Sequence, residues 1–163
     1  LDASRPVEAL TEVIRFVHGY YRRNPDFVTL LNTENLHKGR HIARSVRARE
    51  YSSRAVSIIA DILAAGAAQG LFRADVAARD VYLLIAASGY FYTSNRYTLT
   101  TFLDEALEAP DKVAHWEDFV IEAVLRTVRL EDATDNDTPP HEESKSWQKS
   151  QPAASRARSS SRT

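Results

Sequence analysis

Residues 77–97 read Ala-Ala-Arg-Asp-Val-Tyr-Leu-Leu-Ile-Ala-Ala-Ser-Gly-Tyr-Phe-Tyr-Thr-Ser-Asn-Arg-Tyr, the most apolar stretch of the chain and the one that holds most of its tyrosines. At 3.6 residues per turn it makes a helix of about six turns, with Ser88-Gly89 in the middle. A glycine inside a helix costs roughly 1 kcal/mol relative to alanine, so its presence there needs a physical reason. Either another helix approaches closely, or room is left for a ligand. Tyr90, Phe91 and Tyr92 follow one another at about 100° intervals and cover most of the circumference. A helix apolar all round must be buried on all sides, which calls for a second copy of the chain or for a pocket with its ligand. Ala86, Gly89 and Thr93 form a small-residue strip suited to close approach, while Val81, Ile85, Ser88 and Tyr92 form a neighbouring strip facing the interior. An ordinary core helix of a monomer is the plainer alternative.

Working outward, the same period recurs on both sides. Ser4-Arg5-Pro6 opens a first helix, with Ser4 as cap and Pro6 in the first turn, where its missing N–H costs nothing. Val7, Leu10, Ile14, Val17 and Tyr21 give that helix one apolar face, and Arg22 and Arg23 project elsewhere. Asn24-Pro25 reads as a stop and an immediate restart, Asn24 capping a second helix that weakens near Gly39. A third helix is expected over about 41–69. Its first half is basic and projects from the body, and its second half, with Val56, Ile58, Ile59, Ile62 and Leu63, is buried. Gly70 closes it as a C′ glycine, and Asp75 is placed to cap the 77–97 helix. Thr98 to Asp104 fits a short helix, with Thr101 and Asp104 spaced as a capping box. Ala109-Pro110-Asp111 starts a last helix whose stripe includes Trp116, Phe119, Val120 and Val124. The fold class is therefore all-α, an antiparallel bundle of about five to six helices.

Composition limits what such a bundle can do. The 163 residues are 44% hydrophobic and 26% charged, with a formal net charge of −1 and no cysteine. No overall field draws the chain to nucleic acid or membrane, and no thiolate chemistry is available. The apolar run Val81–Tyr92 is shorter than the roughly 20 residues that a membrane span needs. No signal peptide is visible, and a cytoplasmic location is expected. The chain starts at Leu1 and contains no methionine, so it reads as part of a longer or processed protein. Residues 131–163 contain no Val, Ile, Leu, Phe or Tyr, and such a segment is expected to be a disordered polar tail beyond a folded domain of 1–130.

Catalytic constellations are weak. Glu34, His37 and His41 have metal-ligand spacing, but Gly39 falls between the histidines, and two histidines in a basic turn is the preferred reading. His18 and His115 stand singly on amphipathic helices, where surface or capped roles are expected. Ser88-Gly89 lacks the nucleophile-elbow context, and Gly66-x-x-x-Gly70 closes a helix instead of opening a phosphate loop. No enzyme activity, metal or cofactor is expected. The basic stretch 38–54 reads as a solvated helix end, or as a face near DNA held by another domain.

The order of elements resembles the C-terminal domain of TetR-family transcriptional regulators. Asn24-Pro25, the stretch Ala64-Ala65-Gly66-Ala67-Ala68-Gln69-Gly70-Leu71-Phe72-Arg73-Ala74-Asp75, and Gly89-Tyr90-Phe91-Tyr92-Thr93-Ser94-Asn95-Arg96 carry the likeness, which covers about residues 5–130. The resemblance implies an all-α sensor of a small-molecule effector. Its helices at about 77–97 and 110–130 would pair with those of a second copy as a four-helix bundle across a two-fold axis. Operator DNA would be read by an N-terminal helix-turn-helix that this chain lacks. By helix face, Tyr20, Phe27, Ile59, Tyr92 and Arg96 are expected around the effector, with Glu34 or His37 at its entrance. Ala86, Gly89, Phe91, Trp116, Val120 and Val124 are expected in the homodimer interface. A helical protein–protein interaction module without a small-molecule site is the alternative.

Overall fold

Prolines set three of the helix starts. Pro6, Pro25 and Pro110 each occupy the first turn of a helix, where a fixed φ is already helical and no N–H is missed. A computed structural model describes Asp2 and residues 4–130. Over them run α1 (Pro6–Arg23), α2 (Pro25–Leu36), a 3-10 turn (Ile42–Arg44), α3 (Val46–Ala68), α4 (Ala78–Ser94), α5 (Arg96–Leu103) and α6 (Pro110–Val128). The expected polar tail, 131–163, lies outside the described residues.

The expected caps are not the ones used. Ser4 bonds Asp2 through its amide and hydroxyl, and Arg5 holds the N-cap position of α1. Asn24 turns its side chain back to the Tyr20 carbonyl at 2.8 Å, finishing α1 instead of capping α2. Asp75 is held by both nitrogens of a fork from Arg73, at 3.0 and 2.9 Å, and Ala77 precedes α4. Thr101 lies inside α5, and Asp104 ends that helix at φ 53°, so no capping box forms. In α1 and α2, where proline presets the first turn, a side-chain cap is dispensable.

Two helix boundaries also move. α3 begins at Val46 and not near 41, because the residues before it form the 3-10 turn and Ser45 is extended. α4 stops at Ser94, where the Asn95 side chain donates to the Phe91 carbonyl at 3.0 Å and competes with the helical ladder. At its other end α3 closes as read from the sequence. Gly70 takes φ 70°, Leu71 N–H donates to the Gly66 carbonyl at 2.9 Å, and Gly70 N–H to that of Ala67 at 3.0 Å. This is a Schellman closure.

α1 and α4 lie at the centre: α1 packs on α3, α4 and α6, and α4 also meets α2 and α6. Leu10, Ile14, Ile59, Ile62, Ile85, Val124 and Val128 are fully enclosed between them, each contributing roughly 1.5–3 kcal/mol by leaving water. Phe72 closes one end. Its ring lies directly over Gly66, leaving no space for a Cβ there. Beside it, Arg73 N–H donates to the Val128 carbonyl at 2.8 Å and Leu130 N–H to the Leu71 carbonyl at 3.1 Å, tying the α3–α4 connection to the end of α6.

Candidate functional site

A cleft of about 270 Å³ opens where the end of α1, the start of α2, the end of α4 and the loop after α5 converge. Tyr21 and Arg22 come from α1, Pro25 from α2, Tyr92 and Thr93 from α4, Arg96 from α5, Leu107 and Glu108 from the loop, and Val113 from α6. The Asn24-Pro25 corner is what brings the last turn of α1 here. Arg96 is held in three directions: Nε donates to Glu108 at 2.8 Å, one terminal nitrogen to the Thr93 carbonyl at 2.6 Å, and the other to the Tyr97 hydroxyl at 2.8 Å. Tyr21 is stacked on Phe27 and packed against Tyr90, and burial raises its hydroxyl pKa to about 12, so it remains a neutral phenol.

Below the cleft, a crevice with room for about one water runs between Arg22, Tyr92 and Val113 to His18, Gly89 and Trp116. His18 is buried, which corrects the expectation of a surface or capped histidine. Its Nε2 lies 3.2 Å from the Ser88 hydroxyl, which itself donates to the Ile85 carbonyl at 3.0 Å. The hydroxyl therefore accepts from an imidazole N–H, as a neutral ring permits. Burial first, and the Arg22 charge second, lower the His18 pKa to about 4.

On the other side of Tyr92 lies a second hollow, a shallow groove of about 370 Å³ lined by Phe91, Leu99, Leu103, Lys112, His115 and Trp116, together with Tyr92 and Leu107. The partition between cleft and groove is the Tyr92 hydroxyl donating to the Leu107 carbonyl at 2.8 Å. From Tyr92 a row of stacked rings continues outward, with Trp116 at 5.4 Å and then Phe119 at 5.8 Å. Phe119, Phe91, Leu84 and Leu83 stand 41–56% exposed on α4 and α6.

Of the residues expected around a ligand, Tyr92 and Arg96 line the cleft. Tyr20 and Phe27 pack edge-on at 5.4 Å in an aromatic cluster beyond it. Ile59 is 2% exposed in the core and is not among the residues that line the cleft. Glu34 is buried and fully engaged: Oε2 accepts the amides of His41 and Ile42 at 3.1 and 2.9 Å, and Oε1 meets His41 Nδ1 at 2.7 Å. The Ile42 amide bond, ahead of the His41 contacts, lowers the pKa of its carboxyl. Glu34 organises the turn into α3 and does not line the cleft. His37 is exposed, its ring bonded to the Thr33 carbonyl. Among the described residues, no group of three or more His, Asp or Glu is arranged to hold a metal, and no helix is long and apolar enough to cross a membrane.

The small-residue strip is also reassigned. Gly89 and Thr93 are buried within the same chain, and a Cβ on Gly89 would stand 2.8 Å from His18 Cδ2 and 3.2 Å from Tyr21 Cδ2, both on α1. Val120 and Val124 are core residues of the same chain. All four are buried by the chain's own helices. Phe91 is exposed, and Ala86 and Trp116 are half-buried. Sequence reading missed Tyr21, Arg22, Thr93, Leu107, Glu108 and Val113 at the cleft, and Leu83 and Leu84 on the open face. The one signal for the first two was their position just before the Asn24-Pro25 corner.

Comparison with known proteins adds two findings. A family described as "Tetracyclin repressor-like, C-terminal domain" matches residues 6–124. The HTH-type transcriptional repressor NicS of Pseudomonas putida is 44% identical over 129 residues, which is 79% of this chain. The aligned part is 61% of that repressor's length.

Proposed function

The chain belongs to the tetracyclin repressor-like C-terminal domains of the TetR-family regulators, and from that premise we propose that it is the effector-sensing and homodimerisation part of a transcriptional repressor. Its operator would be read by a helix-turn-helix domain N-terminal to this chain, in the cytoplasm. Effector binding would shift the population between two arrangements of the paired domains and so change DNA affinity.

The observation that carries this reading is that cleft and open apolar face share a wall. Tyr92 and Leu107 line both hollows, and the ring row Tyr92–Trp116–Phe119 leads from one to the other. A ligand that moves Tyr92 therefore acts on the surface where a second copy would sit. Aromatic side chains left this exposed on two adjacent helices are what an association surface provides.

Two measurements test the proposal. Sedimentation of the purified chain should give a dimer at micromolar concentration. A thermal-shift panel of small molecules, with mass spectrometry of whatever the denatured protein releases, should identify a stabilising compound whose binding is lost in Tyr92→Ala, which removes the ring, or in Arg96→Ala. A chain that remains monomeric at 100 μM, and that no compound stabilises, would remove both halves of the reading.

A further inference from the structure

We infer that the basic ridge running from the turn after α2 into the opening turns of α3 is a nucleic-acid contact in its own right, one that grips the phosphate backbone of duplex DNA without reading its sequence. The inference goes beyond the sensor reading and stands apart from it, since it needs neither an effector nor a dimer.

Charge is spread unevenly over the chain. Lys38, Arg40, Arg44, Arg47, Arg49 and Arg54 stand against one anion, Glu50, a local surplus of five on a chain whose net charge is −1. Lys38, Arg40, Arg44, Arg47 and Arg54 are all exposed, and among the described residues none of them forms an ion pair. By contrast, Arg5, Arg73, Arg96, Lys112 and Arg126 each have a carboxylate within 3.5 Å. Nor does the charge serve α3, whose first turn holds no acidic residue, because a helix N-terminus is the positive end of its dipole and disfavours cations. Like charges crowded there repel one another and the helix end, a cost that an anionic partner removes.

The ridge is also preformed. Buried Glu34 takes the His41 and Ile42 amides at 3.1 and 2.9 Å. Gly39 N–H donates to the Glu34 carbonyl at 2.7 Å and Ala43 N–H to the Gly39 carbonyl at 3.0 Å. Lys38 and Gly39 complete the turn at φ 57° and 69°. The backbone under Lys38, Arg40 and Arg44 is therefore fixed before any partner arrives, which lowers the ordering cost of binding. In α3, Ile58, Ile59, Ile62 and Leu63 reach the core, and the cations lie on the turns before them.

The chemistry selects the partner. A guanidinium takes two phosphate oxygens at once. Among the described residues from 37 to 54, Tyr51 is the large apolar side chain left exposed. The ridge thus lacks the apolar face with which a helix enters a lipid surface, and it offers a protein partner one ring as an anchor. Duplex DNA needs no such anchor. It presents a charge for about every 1.7 Å of its axis, and at about 1.5 Å per residue Arg47 and Arg54 lie roughly 10 Å apart along α3. Contacts of this kind add affinity and hold register, and they carry no sequence information.

The test is fluorescence anisotropy of a labelled 30-base-pair duplex of arbitrary sequence, titrated with the purified chain at 25 to 100 mM salt. Binding should be measurable below 100 μM chain at the lowest salt. The logarithm of the binding constant should fall against that of salt with a slope of about −3 to −4, the value for about four phosphate contacts. Arg44→Gln should reduce that slope by about one. Arg40→Gln, Arg44→Gln and Arg47→Gln together should abolish binding while the thermal midpoint holds. The same charge removed elsewhere, as Arg23→Gln, Arg79→Gln and Arg129→Gln, should leave the slope as it was. No binding at 100 μM chain and 25 mM salt overturns the assignment. So do equal losses in the two triple variants, which would make the effect one of net charge. Displacement of the duplex by poly-L-glutamate at equal charge overturns it too, and makes the ridge a docking face for an acidic protein. Because no effector is present, none of these results bears on the cleft, and the sensor reading stands or falls by its own ligand and sedimentation measurements.

Discussion

The two long faces of α4 have opposite fates. On one, Val81, Ile85, Gly89 and Thr93 recur every four residues and are all buried. On the other, Leu84 and Phe91 recur two turns apart and are 41% and 56% exposed, and Phe119 of α6 is exposed as well. The small residues mark where the chain meets itself, and the large ones mark where it is unfinished. From sequence the reverse is the natural expectation, since a strip of Ala86, Gly89 and Thr93 invites a partner helix. Gly89 does serve close approach, but the neighbour is α1, whose His18 and Tyr21 fill the space of the missing side chain.

The largest effect should come from filling that space. Gly89→Leu should destabilise the fold by about 3 kcal/mol or more, the upper end for overpacking, because His18 must leave its Ser88 partner. Urea denaturation would show it as a lower midpoint. A variant of native stability that has merely become monomeric would return Gly89 to an interface between copies.

The inner face also carries a pH response. His18 has its pKa lowered to about 4 in the folded chain, against about 6.5 when unfolded. Between these values the unfolded chain holds a proton that the folded one refuses, so stability rises with pH there. It is fully present above about pH 6.5 and is lost as pH falls towards 4. The whole window is worth at most about 3 kcal/mol. Midpoints measured from pH 7 to 4.5 should fall steeply in the native chain and less so in His18→Gln. The carboxyls of Glu34 and Asp75, whose pKa values are lowered, act only at the acidic end. An identical slope in the variant would mean that His18 is not the titrating group.

The outer face should respond to the opposite kind of change. Phe91→Glu leaves the inner packing alone and should alter monomer stability by less than about 0.5 kcal/mol. It should weaken self-association by about 2 kcal/mol, some thirtyfold, as for a central aromatic anchor. Sedimentation across a concentration series separates the two effects. Unchanged association would show that Phe91 lies outside the contact.

Helix placement was legible because proline and glycine act locally. Pro6, Pro25, Pro110 and Gly70 each do what their backbone chemistry requires wherever the chain goes next. The caps were misread for the same local reason turned round: Ser4, Asn24 and Asp75 each found a nearer partner than the amides they were expected to serve. The cleft was half legible. Tyr92 and Arg96 follow from the outlook of one helix end, but Arg22, Leu107 and Glu108 meet only after three elements have packed, and periodicity carries no record of that. Glu34 and Ile59 show the converse error. A buried carboxylate and a large aliphatic look like lining residues until the backbone amides of His41 and Ile42, and the core, have claimed them.

The smallest effect should come from the partition between the two faces. Tyr92→Phe keeps the ring on Trp116 and removes only the hydroxyl that donates to the Leu107 carbonyl. A single neutral hydrogen bond contributes about 1 kcal/mol, so the midpoint should fall slightly. The change matters more for communication than for stability. With the hydroxyl gone, the loop holding Leu107 and Glu108 is no longer tied to α4 between cleft and groove. A ligand in the cleft should then still bind, through the ring kept at position 92 and the remaining lining, while its effect on the dimer dissociation constant shrinks. The stabilising compound found by thermal shift, titrated against native and Tyr92→Phe dimers, measures both quantities together. Equal linkage in the two proteins would mean that the faces of α4 communicate by another route, and the contrast between them would then be one of packing alone.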